Sequence, residues 1–185
     1  MRCKFVYQDV ITITCTSGGT GACVMRGNSP YAPYQSGTGT QPPAFDDMAI
    51  FYQEYNCYFS KLDVTFCTTT DVPVNCVIYP YYASTDAGIT ISAMCSNPYA
   101  KFKTLKNIYG GGTTYMNHAM RSSTITGLDS NDFNLWSLFS ASPNAQFFYR
   151  LVCQPVDKSS SVAVVANIKL TYYCWLTKRK NTGED

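Results

Sequence analysis

From Val162 to Leu176 every even-numbered residue is apolar: Val162, Val164, Ala166, Ile168, Leu170, Tyr172, Cys174 and Leu176. Asn167, Lys169, Thr171 and Thr177 take alternate positions. A helix, at about 3.6 residues per turn, would scatter these side chains, whereas a strand sends successive residues to opposite faces. The segment therefore predicts a long strand with one buried face. Residues 58–68 repeat the pattern, with Tyr58, Leu62, Val64 and Phe66 on one face against Lys61, Asp63 and Thr65. At the N-terminus Cys3, Phe5, Tyr7, Ile11, Ile13 and Cys15 oppose Arg2, Lys4, Gln8, Thr12 and Thr14. Shorter strands are expected at 22–27, 74–83, 101–106, 113–121 and 146–155. Only 45–54 and about 89–95 suit short helices. The composition agrees: Val, Ile and Thr number 12, 9 and 20, while the chain of 185 residues holds two glutamates. Branched and aromatic side chains fit a pleated surface, so the fold class is all-β in one domain spanning 1–185.

The connections between these eight strands alternate in length. Those at 17–21, 69–73, 107–112 and 156–161 are short; those at 28–55, 84–100 and 122–145 are long. An up-and-down barrel would use short hairpins throughout. Two Greek keys wound into a sandwich place successive connections at opposite ends, so the alternation predicts a jelly roll with long loops gathered at one end. Long loops in a compact domain carry function, here as surfaces for partners.

Catalytic chemistry finds little material. His118 is the only histidine, which excludes the two-histidine metal site of jelly-roll metalloenzymes, and no metal or cofactor is expected. Nine irregularly spaced cysteines without a CxxC pair read as reduced core thiols. The run NIYGGGTT lacks the lysine of a phosphate loop and reads as a tight turn. Asp46 and Asp47 read as caps for the start of the 45–54 helix. No stretch approaches the ~18 apolar residues of a membrane span, so no membrane partner is expected.

Charge is sparse and uneven. The net charge of +2 argues against bulk electrostatic binding of nucleic acid by these residues alone. Lys101, Lys103 and Lys106 lie in KFKTLK, with Lys101 and Lys103 alternating around Phe102 on one strand face. These three, with Arg2 and Lys4 on the polar face of the first strand, are the candidate phosphate contacts. Lys178, Arg179 and Lys180 read as a frayed, solvated end. The aromatics Phe45, Tyr52, Tyr55, Trp136 and Phe139 are candidates for subunit interfaces.

One long stretch resembles a known family. Asn28 and Ser29, the Gly37–Gly39 turn, Pro42 or Pro43, Phe45 and Asp46, Tyr52 and Tyr55, and Ser60 and Lys61 follow one another. Their order is similar to that in capsid proteins of circovirus-like, circular single-stranded DNA viruses. KFVYQDVITI, YAKFKTLK and ANIKLTYYCWL are similar to the same family, so the likeness extends over nearly the whole chain. The resemblance implies a viral jelly-roll subunit, sixty copies of which build a T=1 icosahedral shell around a circular single-stranded DNA genome. It implies residence in the virion, assembly in the host nucleus or cytoplasm, and a host-cell receptor. The short loops would then meet at fivefold axes, and the long loops would make the other contacts.

The family also carries an arginine-rich arm before the first strand, and no such arm precedes Arg2 here. Sixty copies at +2 give roughly 120 positive charges, against on the order of a thousand genome phosphates. The expectation is that the packaging arm lies outside these residues. Two other readings stay open: the coat of a small RNA or satellite virus, and a jelly-roll carbohydrate-binding module.

Overall fold

A computed structural model describes residues 1–17, 19–36, 40–82 and 90–180. The Gly37–Gly39 turn and the first part of the 84–100 connection lie outside the described residues. Among the described residues nine strands form two antiparallel sheets: β1 (Arg2–Cys15), β2 (Gly21–Arg26), β3 (Tyr52–Thr68), β4 (Val74–Tyr81), β5 (Lys101–Leu105), β6 (Thr113–Arg121), β7 (Trp136–Leu138), β8 (Phe148–Pro155) and β9 (Val162–Arg179). Three short helices join them: α1 (Phe45–Phe51), α2 (Ile91–Cys95) and α3 (Ser122–Thr126).

The first sheet runs β1-β9-β3-β6, and the second runs β2-β8-β4-β5. Leaving aside the three-residue β7 paired with β3, the partnering is nested. The first strand pairs with the last (β1 with β9), the second with the next to last (β2 with β8), then β3 with β6 and β4 with β5. One long antiparallel ribbon has thus been rolled into a sandwich, which is the jelly roll that the alternating connections predict. The even-numbered β9 residues from Val162 to Leu176 and the odd-numbered β1 residues Phe5, Tyr7, Ile13 and Cys15 fill the space between the sheets. They meet Met25, Cys76, Ile78, Leu151 and Cys153 from the second sheet in one core.

The alternation in β3 breaks once. Its pairing with β9 shifts register between Cys57 and Phe59. Tyr55 and Cys57 face the core before that point, and Ser60, Leu62, Val64 and Phe66 after it. Tyr58 is the extra residue of a β-bulge, so both Tyr58 and Phe59 turn away from the core. Tyr58 does not share the face of Leu62, Val64 and Phe66 that a strict period-2 reading gives it. The strand also begins at Tyr52, so α1 ends at Phe51, earlier than the expected helix limit of 54.

The ends of the sandwich differ. The four short connections are stitched together: Ser17 Oγ donates to Ser159 O (2.6 Å), Val156 N to Pro73 O (3.0 Å), Ile108 N to Thr70 O (2.9 Å) and Thr68 N to Gly112 O (2.8 Å). In the NIYGGGTT turn, Gly111 and Gly112 sit at φ 109° and 58°, a region costly to side-chain-bearing residues. At the other end, Gly27 N donates to Phe147 O (2.7 Å), and the Asn28 amide donates to Ala145 O (2.8 Å) while accepting from Phe147 N (3.1 Å). These bonds clamp the connection after β2 to the one before β8.

Candidate assembly and nucleic-acid surfaces

Three of the five aromatic candidates are interior. Phe45 and Tyr55 are fully buried and Phe139 is 7% exposed. Phe45 stacks edge-on against Phe5 (5.2 Å) and Tyr55 (5.4 Å) and lies 4.8 Å from Phe139. The Tyr55 hydroxyl donates to Ala141 O at 2.8 Å, and burial pushes its pKa up. These rings pin α1 and the β6–β8 connection to the sandwich, so the side chains of Phe45 and Tyr55 are not on offer to a neighbouring subunit. Bulky apolar residues in long loops need a core of their own, which is what the cluster supplies.

Tyr52 and Trp136 are half-buried and reach the surface. Tyr52 lines an open groove of about 520 Å³ with Tyr31, Ala49, Leu138 and Lys180. Around it Ile50, Phe51 and Leu138 expose large apolar side chains. The short-connection end bears its own set, Ile108, Tyr109 (87% exposed) and Val156. Asp46 and Asp47 lie in the first turn of α1, where their charge suits the helix dipole, but neither caps it; Ala44 holds that position with φ 64°.

The basic candidates fall into three places. Arg2 and Lys4 lie on the face of the first sheet turned away from the core, directly opposite Trp175 and Tyr173 of β9. Lys101 and Lys103 do share one strand face, the inward side of edge strand β5. Their ammonium groups cross the open edge of the sandwich to Asn117 Oδ1 (3.2 Å) and Tyr115 O (3.0 Å) of β6. Inward-pointing lysines on an edge strand discourage pairing with a foreign strand. Lys106 lies beyond β5 at the short-connection end, away from the others. The closing basic run is held, not frayed: β9 continues to Arg179, Lys178 pairs with Glu54 at 2.6 Å, and Lys180 Nζ donates to Ala49 O at 2.6 Å.

Sequence reasoning missed the aromatic half of this surface. Tyr58, Phe59, Tyr173 and Trp175 all lie on the uncovered face of the first sheet, with Tyr58 4.9 Å from Trp175 and Phe59 5.4 Å from Tyr173. The available signal was Tyr173 and Trp175 standing at the polar-phase positions of β9 alongside Asn167, Lys169 and Thr171. Arg121 joins them from β6, opposite Phe59. On the second sheet α2 covers part of the outer face, packing Met94 on Val77 and Val152.

His118 and six of the nine cysteines are buried, but Cys3 and Cys67 are half-buried and Cys95 is exposed, so these three are not the core thiols that the sequence predicts. His118 is 5% exposed, with Nε2 bonded to Tyr99 O and Nδ1 without a partner, and burial lowers its pKa. Cys76 and Cys153 oppose each other across β4 and β8 with sulfurs 3.8 Å apart, and the hydrogen bond to Cys76, with burial, raises the Cys153 pKa. Among the described residues no group of three His, Cys, Asp or Glu side chains is placed to hold a metal ion.

No family model and no curated protein matches the chain. Solved structures do. A capsid-protein deletion mutant of Penaeus vannamei nodavirus, in a T=1 subviral particle, is 9% identical with a TM-score of 0.52 over 97% of this chain and 98% of its own. A chain of the semi-empty virus-like particle of giant freshwater prawn (Macrobrachium rosenbergii) nodavirus is 8% identical, TM-score 0.51, over 100% and 98%. A chain of mud crab dicistrovirus is 11% identical, TM-score 0.51, over 97% and 73%. What this chain shares with them is its fold, a single jelly roll of the viral type.

Proposed function

We propose that this protein is a viral coat subunit that self-assembles into a closed T=1 shell of sixty copies around a circular single-stranded DNA genome. The observation that carries the reading is the combination of a viral jelly roll with exposed large apolar side chains at both of its ends. Ile50, Phe51 and Leu138 stand at the long-connection end and Ile108, Tyr109 and Val156 at the short one. A subunit surrounded by copies of itself needs adhesive surface on more than one side, and apolar side chains left in water mark such surface. The stitched short connections form a compact apex suited to crowding around an axis, whereas the groove beside Tyr52 suits a neighbour's edge. The order of motifs from Asn28 to Lys61 supports the circular single-stranded DNA virus assignment, and the particle-forming fold relatives support a virion component.

Negative-stain microscopy of the purified protein tests the assembly, with uniform closed particles expected. Nuclease digestion of nucleic acid extracted from native particles tests the genome. Sensitivity to DNase and to a single-strand-specific nuclease, with resistance to RNase, is expected. RNase-sensitive contents would instead assign an RNA virus coat.

A further inference from the structure

We infer that the uncovered face of the first sheet is a stacking platform for single-stranded nucleic acid. The proposal rests on the coat-protein reading for its biological setting, but the geometry that carries it is independent of that reading. Across four strands the register places Lys4, Tyr173, Phe59 and Arg121 side by side: Lys4 opposite Tyr173, Tyr173 opposite Phe59, Phe59 opposite Arg121. With strands about 4.8 Å apart, this row spans ~14 Å, two rings between two cations. One step along, Arg2 stands opposite Trp175, and the bulge swings Tyr58 onto the same face at 4.9 Å from the indole. Without the bulge, Tyr58 or Phe59 would point into the core; with it, consecutive rings face outward. Tyr58, Phe59, Trp175 and Arg121 line an open depression of about 410 Å³ together with Ser123 and Ser130.

The charges favour a polyanion. Two acidic groups on this face pair with lysines, Asp63 with Lys61 at 3.0 Å and Glu54 with Lys178 at 2.6 Å, while Asp129, beside Ser130, accepts from Asn131 N at 2.8 Å. Arg2, Lys4 and Arg121 are exposed and form no salt bridge with any described acidic residue. Cations interleaved with rings match a chain of phosphates carrying bases with free π-faces. Bases stacked within a duplex have no face to offer, so a single strand is the preferred form.

The test is fluorescence anisotropy of the intact protein with a labelled oligothymidine and with a duplex of equal length, beside a separate particle assay. Wild type should prefer the single strand. Trp175→Leu should weaken oligothymidine binding by about tenfold or more, as loss of one stacked base implies, and leave duplex binding within about twofold. Arg121→Gln, at an exposed side chain, keeps the test open should the tryptophan variant misfold. It should lower the slope of log affinity against log salt by about 0.7. Folded variants that bind oligothymidine like wild type would overturn the platform while leaving the coat reading intact. Loss of particles with unchanged oligothymidine binding would assign this face to a second copy of the chain and also overturn it. A wild-type protein that prefers single strands yet never assembles would overturn the coat reading alone.

Discussion

His118 shows how one side chain ties stability to pH. Its ring is buried against Tyr149 (5.7 Å), Lys101 adds positive charge nearby, and Nδ1 has no acceptor for a second proton. Its folded pKa is therefore depressed below the ordinary value of 6.5, mainly by burial. The unfolded chain then takes up the proton first, so the native state loses stability as pH falls below 6.5 and through the folded pKa. His118→Gln should flatten the decline in urea midpoint between neutral and mildly acidic pH; an unchanged decline would assign it to other groups. Gly27 is the second sensitive position. A Cβ there would come within 2.0 Å of the Phe147 ring, whose backbone carbonyl accepts from Gly27 N. Gly27→Ala should cost about 1–3 kcal/mol, the usual range for overpacking a filled site, measured by chemical denaturation.

At the scale of elements, the β3 bulge and the loop clamp matter most. Because Tyr58 is the surplus residue, deleting it restores an uninterrupted alternation across Cys57 and Phe59. The deletion should keep a cooperative melt, whereas deleting Leu62 inverts one part of the strand relative to the other and should abolish folding. Asn28 closes the clamp with both ends of its amide. Asn28→Ala leaves Ala145 O and Phe147 N buried without those partners and should cost about 1–3 kcal/mol for each group stranded. Thermal melts of the two deletions, and denaturation of the alanine variant, check these outcomes.

The same elements explain what the sequence revealed. β9 and β1 were legible because period-2 alternation over such lengths admits no helix. The bulge was not, since one extra residue reverses the parity of everything before it while Tyr58 still looks like a core side chain. β7 escaped because three residues carry no period. α3, reading Ser-Ser-Thr-Ile-Thr, escaped because its residues are poor helix formers and tertiary context overrides them. Charge marks Arg2 and Lys4 as nucleic-acid candidates in the sequence but says nothing of the rings beside them. Phe45 and Tyr55 looked adhesive because aromatic residues in a long loop suit an interface, yet their rings close a core inside the subunit.

At the scale of the molecule, nested pairing puts four short, stitched connections at one end and the long ones at the other, with exposed apolar residues at both. On the proposed reading the net charge of +2 is a property of the shell wall. In the proposed sixty-copy shell, roughly 120 positive charges would leave most of a genome's phosphates to other cations. The central claim is closed assembly, and the mass of the purified protein in solution tests it most directly. Sedimentation analysis should give one species of about 1.2 MDa, sixty copies of the 20.5 kDa chain, as the proposed T=1 shell requires. A persistent 20.5 kDa monomer at high protein concentration would contradict it.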